Sequence, residues 1–235
     1  MINVGCYHRW RWLWGTMWFL GASQTWAEES ALIPSAYVGY RNLAYSAGTT
    51  DLSGFLSSLG GGLTFTQGRY YFKAAAEQDV HSEVRTAGID FSREDAVLSA
   101  GYGVSDAISL FAGYKYGRTT ITALTPVDQR FIKLIGHGPF IGAGGGWPVR
   151  DWGILSFSAA YAELQALYSD AQISQAQGSA RGTSLSLAWQ NTFSTGWGYE
   201  IALTRHDYYH QNFDNIGFSV NENLLSLSAS VSYRF

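Results

Sequence analysis

The feature that most constrains this chain is its end. Leu225, Leu227, Ala229, Val231, Tyr233 and Phe235 alternate with Ser226, Ser228, Ser230, Ser232 and Arg234. In an extended chain successive side chains point to opposite faces, so these eleven residues make one apolar face and one hydroxyl-rich face. Strands of soluble sandwiches usually stop at about 5 to 6 residues. A strand tilted across a bilayer needs about 9 to 11, and this segment has that length.

The same period recurs upstream. Leu185, Leu187, Trp189 and Phe193 oppose Ser184, Ser186, Gln190 and Thr192, and a turn at Ser194-Thr195-Gly196 leads to Trp197, Tyr199, Ile201 and Leu203. Leu98, Ala100, Tyr102 and Val104 turn through Ser105-Asp106 into Ile108, Leu110, Ala112, Tyr114 and Tyr116. Leu59, Gly61, Leu63 and Phe65 turn at Gln67-Gly68 into Tyr70, Phe72, Ala74 and Ala76, and Ile141, Ala143 and Trp147 turn at Pro148-Val149-Arg150-Asp151 into Leu155, Phe157, Ala159 and Tyr161. Before Ile141, either His137 or Leu134 falls on the wrong face unless a bulge intervenes. An opening strand near 37–45 completes ten.

Between them the spacing alternates. Longer, more polar connections are expected near 46–57, 79–94, 118–131, 166–182 and 207–223, with four tight turns between. Outer-membrane barrels have an even strand number, short periplasmic turns and longer outer loops. Ten strands put both chain ends on the short-turn side. An unpaired backbone group in hydrocarbon costs several kcal/mol, so the last strand must pair with the first. The chain is 16% aromatic and 14% charged, against about 25% charged in typical soluble domains, and no mature segment is apolar for long enough to be a spanning helix. The expected fold is all-β: a transmembrane, antiparallel, up-and-down β-barrel of ten strands. Two aromatic girdles follow, with Trp147, Trp152 and Trp197 near the short turns and Tyr116, Tyr161 and Tyr168 near the long loops.

The start of the chain reads as an export signal. Arg9 and Arg11 precede an apolar run over 12–22, then Ser23-Gln24-Thr25-Trp26-Ala27 stands before Glu28 and Glu29. An apolar run this short suits a cleaved signal better than a membrane anchor. The domain reading is a signal peptide at 1–27 and one barrel domain at 28–235. Cys6, the only cysteine, leaves with the signal, so the mature chain has no disulfide and no thiolate metal site. Loss of Arg9 and Arg11 leaves 13 basic against 18 acidic residues, a net charge of −5. Nothing in that balance suggests nucleic acid.

On these residues the chain resembles the small bacterial outer-membrane β-barrel superfamily. The closing Leu227-Ser228-Ala229-Ser230-Val231-Ser232-Tyr233-Arg234-Phe235 is similar to that superfamily's C-terminal assembly signal, which ends in an aromatic residue after alternating apolar positions. The resemblance implies recognition of Tyr233 and Phe235 by the barrel-assembly machinery. It also implies a bacterial outer-membrane location among lipid and lipopolysaccharide; the barrel is expected to be a monomer.

With the apolar face outward, the lumen receives Arg41, Lys73, Glu77, Lys115, Glu200 and Arg234. One reading is a narrow, porin-like pore whose basic residues favour anions. The other is a plug of paired charges, because ions in so narrow a bore must be paired or hydrated. A third places chemistry at the outer rim: Glu77 and Asp79 end one strand, and His206, Asp207 and His210 another. Ten-stranded proteases of the omptin family carry acidic residues and a histidine there, and such a histidine could activate water. However, the paired-aspartate motif is missing and the chain is short for the tall omptin barrel. His81, His206 and His210 lack metal-ligand spacing. Tyr208, Tyr209 and Phe213 are candidate contacts for a loop-borne adhesin. No phosphate loop, nucleophile elbow or dinucleotide fingerprint occurs. The expectation is a non-enzymatic envelope protein, without cofactor or metal, that is structural or porin-like and carries surface loops.

Overall fold

The computed structural model describes residues 30–84, 88–124, 129–214 and 217–235; the segment 1–27 expected to be a signal lies outside them. The ten strands are β1 (Ala31–Ala47), β2 (Thr50–Gln67), β3 (Tyr70–Val84), β4 (Ile89–Gly103), β5 (Ile108–Leu124), β6 (Gln129–Pro148), β7 (Ile154–Ser169), β8 (Ala176–Thr192), β9 (Trp197–Gln211) and β10 (Val220–Tyr233). Each pairs antiparallel with its sequence neighbours, and β10 closes on β1, from Ser35↔Ser232 to Ala47↔Val220. The serine-rich last strand is therefore sealed on both edges.

The four short turns lie close to where the sequence puts them, at 68–69, 104–107, 149–153 and 193–196. The longer connections do not. The stretches expected to be loops are largely strand, and the links at that end shrink to 48–49, 85–88, 125–128, 170–175 and 212–219. Two-residue hairpins need positive φ, and Gly48 and Gly68 supply it at φ 58 and 55. Strands of 14 to 20 residues rise about 3.3 Å per residue at a tilt of about 40°, giving a wall on the order of 40 Å tall. That exceeds an apolar belt of about 25 Å, so much of the wall stands outside the membrane.

Polarity inverts along the wall without a change of pleat. In the lower part the outward residues are apolar, among them Val38, Leu63, Leu98, Leu110, Ile141, Phe157, Leu187, Leu203 and Leu227. Inward positions there are small or hydroxylic, such as Thr64, Ser109, Ser156, Ser158 and Ser186. Above the belt the same strands turn greasy side chains inward: Leu43, Tyr45, Leu56, Phe91, Ile121, Leu134, Leu164, Tyr168, Val220 and Leu224 form one buried cluster. Water, not lipid, bathes the outside of this section, so the arrangement is that of a soluble barrel with a dry core.

This inversion removes the register problem of β6. Ile141, His137 and Ile135 face outward and Phe140 and Leu134 inward in one continuous strand, so no bulge is needed there. It also corrects the upper girdle: Tyr116 and Tyr161 face outward, whereas Tyr168 is buried inside. Trp147, Trp152 and Trp197 stand exposed at the short-turn end. One irregularity occurs between β2 and β3, where Ser57 pairs with His81 and Ser58 with Asp79, leaving Val80 as the extra residue.

Inside the belt, inward aromatic rings lie flat on glycines of neighbouring strands. A Cβ at Gly60 would come within 2.1 Å of the Tyr37 ring, and one at Gly101 within 2.1 Å of the Tyr71 ring. Only a residue without a side chain admits this approach, and the rings fill bore that ten strands would otherwise leave open. At the outer end Asp170 organises the 170–175 link. Its carboxylate accepts the amides of Gln172 (2.8 Å) and Ile173 (2.7 Å) and the Tyr168 hydroxyl (3.0 Å). Partial burial opposes its charge, but these donors outweigh it and hold its pKa below the ordinary carboxylate value.

Candidate functional site

Where the two kinds of interior meet, inward positions carry the charges. Arg41 of β1 forms ion pairs with Glu77 and Asp79 of β3 and Asp95 of β4, the last two at 3.6 and 3.0 Å. Arg93 clasps Asp95 with two bonds of 2.9 Å, from Nε and Nη2. Its Nη1 donates to Thr119 Oγ1 of β5 at 2.9 Å and to Glu222 Oε1 of β10 at 3.3 Å. Glu222 is also bonded to His210 Nε2 of β9 at 3.0 Å, and the Ser58 hydroxyl donates to Glu77 at 2.6 Å. Planar guanidinium groups suit this crowd of carboxylates, since each offers five donors in fixed directions.

Two contacts span the bore. Arg93 on β4 meets Glu222 on β10, and Lys115 on β5 donates to the Tyr208 hydroxyl on β9; Lys73 on β3 and Glu200 on β9 are buried in the same interior. In the barrel order each pair lies four strands apart out of ten, which is close to a diameter. Lys115 also sits 4.6 Å from the centre of the Tyr208 ring. Between these crossings lies a cavity of ≈ 70 Å³ whose lining includes Arg41, Lys73, Glu77, Asp95, Lys115 and His206. That is room for a few waters. Tyr71, Phe111, Phe140 and Leu224 of the apolar cluster also line it, and Leu43, Tyr45 and Tyr168 of the same cluster lie above.

Of the lumen residues read from sequence, Arg41, Lys73, Glu77, Lys115 and Glu200 point inward. Arg234 follows the last residue of β10 and sits half-buried at the short-turn rim, where its amide donates to Gly196 O at 3.0 Å. Tyr233 stacks edge-on against Trp197 and Phe235, at 5.1 and 4.8 Å between ring centres, and the Phe235 amide donates to Leu32 O. Arg93, Asp95, Thr119 and Glu222 were not singled out. Arg93, Thr119 and Glu222 fall in stretches read as loops. Their signal was phase: each continues the inward alternation of its own strand beyond the belt.

The hydrolase geometry is not met. Asp79 and His206 face inward, whereas Asp207 faces outward and is gripped by Arg205 at 2.9 Å. His206 is bonded to Ser184 at 2.6 Å. Among the described residues no group of histidine, cysteine and acidic side chains is placed to hold a metal ion; His81 lies outside with Glu83, while His210 is inside. Of the suggested contact aromatics, Tyr208 and Phe213 are buried and Tyr209 alone is exposed.

No protein-family model and no curated protein matches the chain. Among solved structures it is similar to the outer membrane protease OmpT from Escherichia coli, with a TM-score of 0.60 at 11% identity over 90% of this chain and 99% of that one. It is also similar to the beta domain of the Bordetella autotransporter BrkA, with a TM-score of 0.50 at 13% identity over 87% of this chain and 100% of that one. At such identities the likeness is one of fold. The fold, with its closed ladder and its apolar belt, is that of a bacterial outer-membrane β-barrel.

Proposed function

We propose that this chain is a closed, non-conducting and non-enzymatic barrel with a structural role in the outer membrane, offering a rigid wall above the lipid rather than a path through it. The observation that carries this reading is the double crossing of the bore by Arg93–Glu222 and Lys115–Tyr208, capped by the buried cluster around Leu43, Leu134 and Tyr168. An anion pore needs a continuous wet path with exchangeable charges. Here the arginines are held by carboxylates on several strands, and the space above them is apolar. Adhesion through long loops is not favoured either, because much of the sequence at the outer end is strand.

Planar-bilayer recording tests the reading. The purified barrel is expected to give no discrete steps at moderate voltage, while an Arg41→Ala/Arg93→Ala/Lys115→Ala variant that still migrates as a folded barrel leaks. Regular anion-biased steps from the unaltered protein would refute it and restore the porin-like alternative.

A further inference from the structure

Above the lipid belt the ring of strands carries two unlike outer faces. On β2 to β4 the exposed residues include the carboxylates Asp51, Glu83 and Asp90. Val80 stands on the same face, 66% exposed, because it is the extra residue of the β2–β3 bulge and has no ladder partner there to pack against. It is an apolar knob on an acidic wall. Of the neighbouring bases among the described residues, Arg118 of β5 is taken up by Glu94, and His81 lies 3.8 Å from Glu83. Even with His81 charged, the carboxylates of Asp51, Glu83, Asp90 and Glu94 outnumber these bases.

Strands β6 to β8 show the reverse. Phe131 is 48% exposed, and Ile135 stands directly opposite Leu167 in the β6–β7 ladder, both half-buried. Lys133 lies between Phe131 and Ile135 on the same side of β6, and Arg181 is exposed on β8; the carboxylate in this stretch is Glu163. Large apolar side chains gathered on a watery wall and rimmed by polar groups mark a surface that something covers. In the barrel order β3 is four steps from β7 and five from β8, out of ten. The acidic face and the basic, apolar face therefore look in nearly opposite directions.

We propose that the Val80 knob of one barrel seats among Phe131, Ile135 and Leu167 of a second copy, with its carboxylates against Lys133 and Arg181, so that the barrels stand in rows. The complementary charge and shape are both carried by this one chain. The membrane favours a second copy further. Every copy inserts the same way up, which puts both faces on the same side of the bilayer and leaves only rotation about one axis to be fixed, so association gives up less freedom than it would in solution. Two different faces on opposite sides make a heterologous contact, which repeats without closing. The barrel expected to be a monomer becomes the unit of a row. This goes beyond the closed-bore reading and does not rest on it, since a conducting barrel would present the same two faces.

The test is disulfide trapping. Cys6 is the only cysteine, and Cys6→Ser removes it. In that background, differently tagged Val80→Cys and Leu167→Cys chains are produced together in a bacterial outer membrane and oxidised in place. Each variant is first checked for heat-modifiable migration as a folded barrel. Dimers carrying both tags are expected several-fold above a mixture of Val80→Cys with Asn223→Cys, which is exposed on β10 between the two faces. A Val80→Cys/Leu167→Cys chain should give a ladder of trimers and larger species. Glu83→Lys/Asp90→Lys in the Val80→Cys chain should bring the mixed dimer down to the control level, and Lys133→Glu/Arg181→Glu in its partner should restore it, which a merely structural defect would not allow. Trapping no better than the control, a charge reversal without effect or without restoration, or Val80→Cys homodimers as abundant as the mixed dimer would overturn the row. A different protein trapped in place of the second copy would overturn it as well.

Discussion

Replacing Arg93 by methionine is the most informative perturbation of the bore. Its guanidinium is nearly inaccessible and holds two carboxylates, Asp95 through paired bonds of 2.9 Å and Glu222 at 3.3 Å. At charge separations of about 4 Å and an effective dielectric of about 20, each attraction is on the order of 4 kcal/mol gross. Desolvation of the three ions offsets much of that, but it offsets nothing once one partner is gone. Removing one member of a buried pair costs about 3–5 kcal/mol because the other charge stays buried. Here Asp95 keeps Arg41 and Glu222 keeps His210, which places Arg93→Met near the lower end, about 3 kcal/mol. Urea unfolding in lipid vesicles, followed by tryptophan fluorescence, measures it. The partner change matters as much: Arg93→Met/Glu222→Gln should recover a large part of the loss, since one stranded charge has been removed. A single variant as stable as the parent to within about 0.5 kcal/mol, or a double variant less stable than the single, would refute the network as an organising element.

Other consequences follow from the same geometry. Gly60→Val drives a side chain into the Tyr37 ring, whose approach leaves 2.1 Å for a Cβ, and should destabilise the barrel by about 1–3 kcal/mol; adding Tyr37→Ala should restore part of this in the same unfolding assay. Leu134→Ala opens a cavity in the dry upper core, where Leu134 is 1% exposed. It should cost about 2–5 kcal/mol, whereas Leu227→Ala on the lipid face should cost much less, and equal losses would contradict the division into two interiors. Asp170 has a depressed pKa, so its ordering of the 170–175 link is complete above the usual carboxylate range and fades as pH falls through the folded value. Hydrogen exchange at the Gln172 and Ile173 amides should accelerate, relative to the intrinsic rate, only in acid; protection that persists at low pH would contradict the assignment.

The belt-spanning part of each strand was legible from residues alone because two solvents enforce it. Lipid outside and a narrow bore inside impose alternation on Leu225, Leu227 and Val231, or on Leu98, Ala100 and Tyr102, and the short turns announce themselves by glycine and polar residues. The upper wall was not legible. There Leu224, Tyr168 and Phe91 are inward while Asn223, Gln165 and Ser92 face water, so the apolar residues shift phase by one relative to the belt, and a reader following one phase sees the pattern end and infers a loop.

Strand number, antiparallel order and the lipid-facing side chains were thus determined locally, by a period of two that each segment carries by itself. Which charges meet was decided only by closure. Arg93 and Glu222 are 129 positions apart and share no motif; they touch because ten tilted strands sealed at β1 and β10 bring β4 and β10 across a narrow bore. The depth at which lipid gives way to water then decides which side of the same pleat must be greasy. Neither the diameter of a closed sheet nor the height of a membrane surface is a property of any one stretch of residues.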